Sequence, residues 1–379
     1  MPLGKNDKVT IIFFVIVLFV TLTSCSKSDL QFTETSAIPP SNYNGQNAGS
    51  LKNPFLISNL ANLRWLSESL DVWGSDSLQF HFLQTDNIDA FETIRWNGGA
   101  GFTPIGMSRS LSESLDNHDK YFYGSYNGNS KSIENLYVGY LESEENISSG
   151  LFGSVNCANI SNIKLNNYSS NSREITGTLI GYAIDSSIEN CSVSGSVNSM
   201  SKTHLIGGFV GISNKSKISR CSSTVDILRY KENNKEGSTF TGGIVAGMQH
   251  SSLENSFFRG RIKGNAILFG GLVGTASNSD ILNCYADITQ RRPKFSGLAV
   301  SLLDSKVENC FYFTVSLASH SLFLKTDGIS SVSGGKLSRR HRHNKSFYID
   351  MGWDFTTTWN IDKKINDGYP SLLLGSCCN

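Results

Sequence analysis

Proline is scarce, at 7 of 379 residues, and charged residues make up only 17% of the chain. With 35 glycines and 39% hydrophobic residues, that balance excludes a disordered chain and leaves enough apolar material for a sizeable core. A surplus of either charge is missing too. Removing Lys5 and Lys8 from 33 basic residues and Asp7 from 32 acidic ones leaves 31 of each beyond the N-terminal leader. The basic footprint of a nucleic-acid binder is therefore absent. No His-Glu-x-x-His, P-loop, Gly-x-Ser-x-Gly elbow or Asp-rich calcium loop occurs. No Cys-x-x-Cys is found among the 8 cysteines. The chain is accordingly expected to be no enzyme, and to need no metal and no cofactor.

One long hydrophobic run stands at the start. Val9 to Leu22 follows the basic Lys5 and Lys8 and is too short for a comfortable membrane span. Residues 1–24 read as a signal peptide. Leu22-Thr-Ser-Cys25 reads as a lipobox, in which Cys25 becomes the acylated N-terminus; an ordinary signal peptide with a chance cysteine is the alternative. The expected address is the outer membrane, lipid-anchored, on the cell surface rather than the periplasmic face, with the membrane as the first partner. Residues 25–50, rich in Ser, Asn and Gly, read as a flexible tether.

Beyond the tether a unit repeats. Its clearest copy is Gly270-Gly-Leu-Val-Gly-Thr-Ala-Ser-Asn-Ser-Asp-Ile-Leu-Asn-Cys-Tyr-Ala286. The apolar residue of its Ser-x-Ile-x-Asn-Cys segment recurs at Ile133, Ile160, Ile188, Ile218, Leu253, Ile281 and Val307, at spacings of 26 to 35 residues. Such a period marks a solenoid, in which each unit buries its apolar face against its neighbours. Short β-branched runs between glycines mark the units as strands. Side-chain parity locates a corner. Ile188 and Asn190 share one parity, yet the apolar residues that follow are Cys191, Val193 and Val197, so the inward set switches between 190 and 191. Asparagine tolerates the left-handed backbone of a tight bend. Asn135, Asn162, Asn190, Asn255, Asn283 and Asn309 are expected to stack as a structural ladder, each amide bonding the next coil, with Arg220 breaking it once.

The predicted fold is all-β: a parallel β-helix, or β-solenoid, of six to seven coils over 125–315. An N-terminal helical cap and lead-in segment (51–124) precedes it, and a C-terminal cap or flank (316–379) follows. The capping helix is expected within Asn53–Leu70, with Ser58 or Asn59 as its cap and Leu60, Leu63, Leu66 and Leu70 as its buried stripe. Arg229–Gly237 reads as a solvated insertion between coils, which could serve as a contact loop.

The Gly-Gly-Leu-Val-Gly units resemble the GLUG motif of bacterial surface proteins, over about residues 125–312. Tyr126-Asn-Gly-Asn-Ser-Lys-Ser-Ile resembles that family's first coil, with Ser130 and Lys131 in place of Gly and His. Gly352–Trp359 and Gly368–Leu374 resemble its closing segment. The resemblance implies a repeat lipoprotein of Bacteroidota-like type.

Cys191, Cys221, Cys284 and Cys310 share one repeat position. Parity puts them inside as a column of free thiols, or as oxidised pairs 191/221 and 284/310. Cys377-Cys378 carries no reading. Outward columns are the candidate sites. Glu134, Ser161, Glu189, Ser219, Glu254, Leu282 and Glu308 place acids on alternate coils, about 10 Å apart. That exceeds the ~5 Å of retaining and the ~6.5–9.5 Å of inverting glycosidases. Phe257, Tyr285 and Phe311 form an outward aromatic column, the candidate binding face for sugar rings or a protein ligand. The C-terminal flank, with Trp353 and Trp359, is what would otherwise cover it. The basic run Arg339–His343 suits acidic glycans or plain solvent. The function expected is an adhesin-like binding protein that contacts glycans or host matrix. A polysaccharide-degrading enzyme on the same scaffold and a non-binding structural envelope protein are the alternatives.

Overall fold

The computed structural model describes residues 33–107, 120–139, 147–171, 174–199, 205–229, 240–264, 268–288, 295–314, 322–328 and 331–373. The leader 1–24, Cys25, most of the insertion 229–237 and Cys377-Cys378 lie outside the described residues. Thr35–Asn379 form one compact unit, distinct from Met1–Glu34.

The coil at 175–199 shows how the sequence makes a turn of solenoid. Ile175–Gly177 is a short strand, Ile180–Ile184 a second, Ser187–Glu189 a third and Ser192–Ser199 a fourth. Each pairs in parallel with its counterpart one coil on. Ile180 lies opposite Val210, then Val245, Val273 and Ala299. Ile188 lies opposite Ile218, then Leu253, Ile281 and Val307. All of these side chains are fully buried. Among the described residues, five strands of the first kind and seven of the second make two sheets, and the third and fourth kinds merge into a broad third sheet. The stack reaches about eight turns, rather than six to seven, because the lead-in strands Phe55–Ile57, His81–Gln84 and Ser125–Asn127 continue the third sheet below the repeats.

The bracketing glycines answer to close approach. A Cβ on Gly207 would fall on the Val210 carbonyl oxygen, and Gly242 and Gly270 stand in the same relation to Val245 and Val273. Without that tight step the chain could not pass from the first sheet to the second.

Every corner asparagine has a left-handed φ, from 48° at Asn255 to 61° at Asn135, and Arg220 adopts it as well at 51°. The ladder itself is built differently from the expectation. Its rungs are backbone bonds: the N–H of Asn162, Asn190, Arg220, Asn255 and Asn283 donates to the carbonyl of Glu189, Ser219, Glu254, Leu282 and Glu308. The amides go elsewhere, Asn162 Nδ2 to Asn127 and Trp359 Nε1 to the Asn255 oxygen. Asn135 belongs to another corner. Ile133 pairs with Leu165, which puts Asn135 under Asn167, and its oxygen accepts from Asn167 Nδ2 at 2.7 Å. Ile160 instead stacks on Tyr126. An extra strand, Ser132–Glu134, in the first coil causes this offset.

At the N-terminus, Asn53–Leu70 is strand, then helix. Phe55–Ile57 pairs with Phe82–Gln84, and the helix runs Leu60–Glu68 with Asn59 as its cap, its side chain accepting from the Asn62 N–H. Leu63 and Leu66 are buried while Leu70, past the helix end, is exposed. The expected tether is shorter than 25–50. Ile38 N–H bonds the Ala61 carbonyl, and Tyr43 packs edge-on against Trp65 at 5.1 Å, so residues 35–50 belong to the cap.

Candidate functional site: the outer faces of the solenoid

The aromatic column forms as the repeat register requires. Phe257 pairs with Tyr285 and Tyr285 with Phe311. Phe257 and Tyr285 stack at 5.0 Å with planes 4° apart. All three point away from the core, but the face is closed. They are buried in a second apolar cluster with Trp353, Trp359, Tyr348 and Tyr369 of the flank. The flank is fastened by polar bonds as well. Tyr285 Oη donates to the Pro370 carbonyl at 2.7 Å and accepts from Asn366 Nδ2. Trp353 Nε1 donates to the Asn309 carbonyl at 3.1 Å. The expected sugar platform is thus corrected to a docking seat for the chain's own C-terminal segment. Three aromatic rings in one column left in water would cost too much, and the flank's two tryptophans fill the stripe.

Next to the rings, Arg259 bridges flank and coil. It bonds Asp287 Oδ2 at 3.3 Å, Asn366 Oδ1 at 2.6 Å and Asp367 Oδ2 at 3.1 Å, and its guanidinium lies 4.2 Å over the Tyr369 ring. Burial raises the Asp287 carboxyl above its ordinary value, against the pull of Arg259 and Arg342. The run Arg339–His343 serves the same seam. Arg342 bonds Tyr369 Oη, His343 Nδ1 bonds the Gly368 carbonyl, and His341 stacks on Phe347 at 4.9 Å.

The short strand ahead of the asparagine corner, Ser187–Glu189 in one coil, carries the acidic column. Its carboxylates have partners. Glu189 meets Arg220 at 2.5 Å, Glu254 meets Lys217 at 3.1 Å and Glu308 meets Lys306 at 2.9 Å. Bonds from Ser331 and Lys306 hold the Glu308 carboxyl below its usual range. Arg220, which interrupts the asparagines, thus puts a cation between acids. Lower in the same row of strands His81 Nδ1 and Ser125 Oγ lie 2.6 Å apart. Burial lowers the His81 pKa. Among the described residues no carboxylate bonds its other nitrogen, and no group of three His, Cys, Asp or Glu could hold a metal ion.

The broad strands below the flank present a different surface. Ser192, Ser194, Ser196 and Asn198 alternate outward along one strand, and Thr224 and Asp226 stand opposite Ser194 and Ser196 on the next. These outward positions are half-buried or exposed, and their side chains are hydroxyls, one amide and one carboxylate. Asp226 is neutralised by Arg261 of the following coil.

Inside, sequence reasoning missed a second ladder. Ser186, Ser216, Ser251, Ser279 and Ser305 each donate a hydroxyl to the carbonyl two residues back, at 2.5–2.9 Å. Each also accepts the matching N–H of the coil before it, at 3.0–3.2 Å. The residue ahead of each, Asp185, Lys215, His250, Asn278 and Asp304, is left-handed, so this is a second corner. The thiols of Cys191, Cys221, Cys284 and Cys310 cap carbonyls two residues back at the first corner in the same way, and Ser256 replaces the thiol in one coil. All four cysteines are free and buried, and burial raises the Cys221 and Cys284 pKa values. The signal was present, as the leading Ser of the repeat.

Residues 174–198 and 265–289 match the family model of the GLUG motif. Over 179 residues, 47% of this chain, the sequence is 30% identical to Halomucin of Haloquadratum walsbyi (strain DSM 16790 / HBSQ001); the chain spans about 2% of that relative's length. The fold is similar to the crystal structure of a candidate immunoglobulin A1 protease from Bacteroides ovatus. The TM-score is 0.58 at 16% identity, with 86% of this chain and 94% of the other covered.

Proposed function

We propose that this GLUG-repeat β-solenoid is a lipid-anchored surface protein of the outer membrane that binds extended glycans or glycoproteins through the hydroxyl face of its broad sheet. The observation that carries the reading is the row Ser192, Ser194, Ser196 and Asn198 with Thr224 opposite, open beside a flank that covers the aromatics. Rungs about 4.8 Å apart set Ser192 beside Ser222, Ser194 beside Thr224 and Asn198 beside Asn171. A long polymer with repeating hydroxyls can match such an array at several points at once, so weak contacts add up. Cys25 and the leader support the anchor, and the Halomucin likeness is in keeping with a surface role.

A hydrolytic reading has one support, the name of the solved structural neighbour, and likeness at 16% identity speaks to fold alone. On this chain the outer carboxylates are held by Lys and Arg rather than paired with one another.

One assay separates the readings. The purified chain is challenged with a panel of polysaccharides and matrix glycoproteins, and retention and products are read from the same samples. Retention without products, lost in a folded Ser194→Lys/Ser196→Lys/Thr224→Lys variant, is the expected result. New sugar ends or cleaved glycoprotein would replace it with the enzyme reading. Neither retention nor products would leave a structural envelope role.

A further inference from the structure

We propose that the N-terminal cap rests on the bilayer surface, with Leu51, Leu78, Phe91 and Ile94 entering the interfacial layer. This builds on the Cys25 anchor and says which end of the solenoid the membrane touches. Large apolar side chains are exposed more often on the cap than on the coils, as they also are on the C-terminal flank: on the cap Ile38 at 53%, Leu51 at 76%, Leu70 at 48%, Leu78 at 54%, Phe91 at 63% and Ile94 at 49%. Among the described residues of the coils from 120 to 314, only Leu268 and Leu303 are comparably bare. Leu51 and Leu78 line one open hollow of about 570 Å3 with Ala48 and Phe80. Phe91 and Ile94 are three residues apart on the 3-10 helix Phe91–Arg95, which puts them on one side of it. Lys52 and Arg95 directly follow Leu51 and Ile94 in sequence, cations suited to an anionic headgroup layer.

The length of chain ahead of the cap names the occupant. Because residues 35–50 are built into the cap, only residues 26–34 separate Cys25 from Thr35. The ten steps from Cys25 to Thr35 reach at most about 36 Å. Thr35 is pinned where that chain arrives. Its N–H donates to Glu92 Oε1 at 3.2 Å, and its carbonyl accepts from Arg64 Nη1 at 2.8 Å. Glu92 lies on the same 3-10 helix as Phe91 and Ile94. An acylated Cys25 therefore keeps Thr35, and the Phe91–Arg95 helix bonded to it, within about 36 Å of the headgroups. Apolar side chains held there gain by entering the interface.

The test uses the full lipidated chain in vesicles of phosphatidylethanolamine and phosphatidylglycerol doped with brominated phosphatidylcholine. All five native tryptophans are buried, so an added one reports its own surroundings. Leu51→Trp and Phe91→Trp are expected to shift the added emission to the blue and lose it to the brominated lipid. Leu268→Trp, on a coil, is expected to do neither. Probes at 51 and 91 that are quenched no more than the one at 268, on protein that floats with the vesicles, would overturn the proposal. Flotation reads the anchor separately. If Cys25→Ser protein floats as well as wild type, the anchor reading fails while quenching still decides the cap. A wild-type chain that does not float overturns both.

Discussion

At the scale of the residue, the fold depends on a few positions that reverse the backbone. Asn283 sits at φ 53° with its N–H bonded to the Glu308 carbonyl one coil on. Alanine there keeps the bond but meets the steric penalty of left-handed backbone, whereas glycine meets none. Asn283→Ala is expected to lower stability by about 1 kcal/mol, and Asn283→Gly to change it by much less. Urea midpoints of the two variants check this; equal losses would mean that the amide, not the backbone, holds the corner. The sequence made this corner legible because parity switches there and asparagine recurs. It hid the second corner, because Asp185, Lys215, His250, Asn278 and Asp304 share no side-chain chemistry. What they share is the serine that follows, and a serine in a repeat reads as polar filler until its two bonds are seen.

At the scale of the element, the C-terminal flank decides what the broad sheet can touch. Its seam holds Asp287, whose carboxyl burial raises above the ordinary 3.8. Between that value and the raised one, the folded chain keeps a proton that the unfolded chain has released. Stability therefore falls as pH climbs through that window and levels off above it. Asp287→Asn is expected to flatten this acid-side slope, read as melting temperature against pH. Parallel curves for the two proteins would show that another group titrates there. The aromatic column was legible as far as its outward direction, since Phe257, Tyr285 and Phe311 hold one repeat position. Its cover was only half legible. Trp353 and Trp359 carry no period that fixes where they land, so the sequence named the flank as a candidate lid without showing contact. The helix starts where its expected cap, Asn59, puts it, and ends before Leu70. Pro54 and the β-branched Ile57 suit a strand, and Asn59 starts the helix only at Leu60.

At the scale of the whole molecule, each coil touches only the coils beside it, so the length of the stack is adjustable while its phase is not. Deleting residues 188–217 removes one full turn and joins Ser187 to Ile218, keeping both corners in order. The product is expected to stay folded with a modestly lower melting temperature. A half-turn deletion, of residues 188–202, is expected to unfold. Circular dichroism of the two tells them apart, and equal loss of strand signal would mean the stack is not modular. The serine ladder adds a direction to this stack. Every hydroxyl takes the N–H of the coil that precedes it in sequence, never of the one that follows. A chain that emerges N-terminus first thus always ends in one turn whose buried amide waits for the next serine to arrive. Folding is driven to follow emergence turn by turn, and the solenoid acts as a ratchet that resists sliding back.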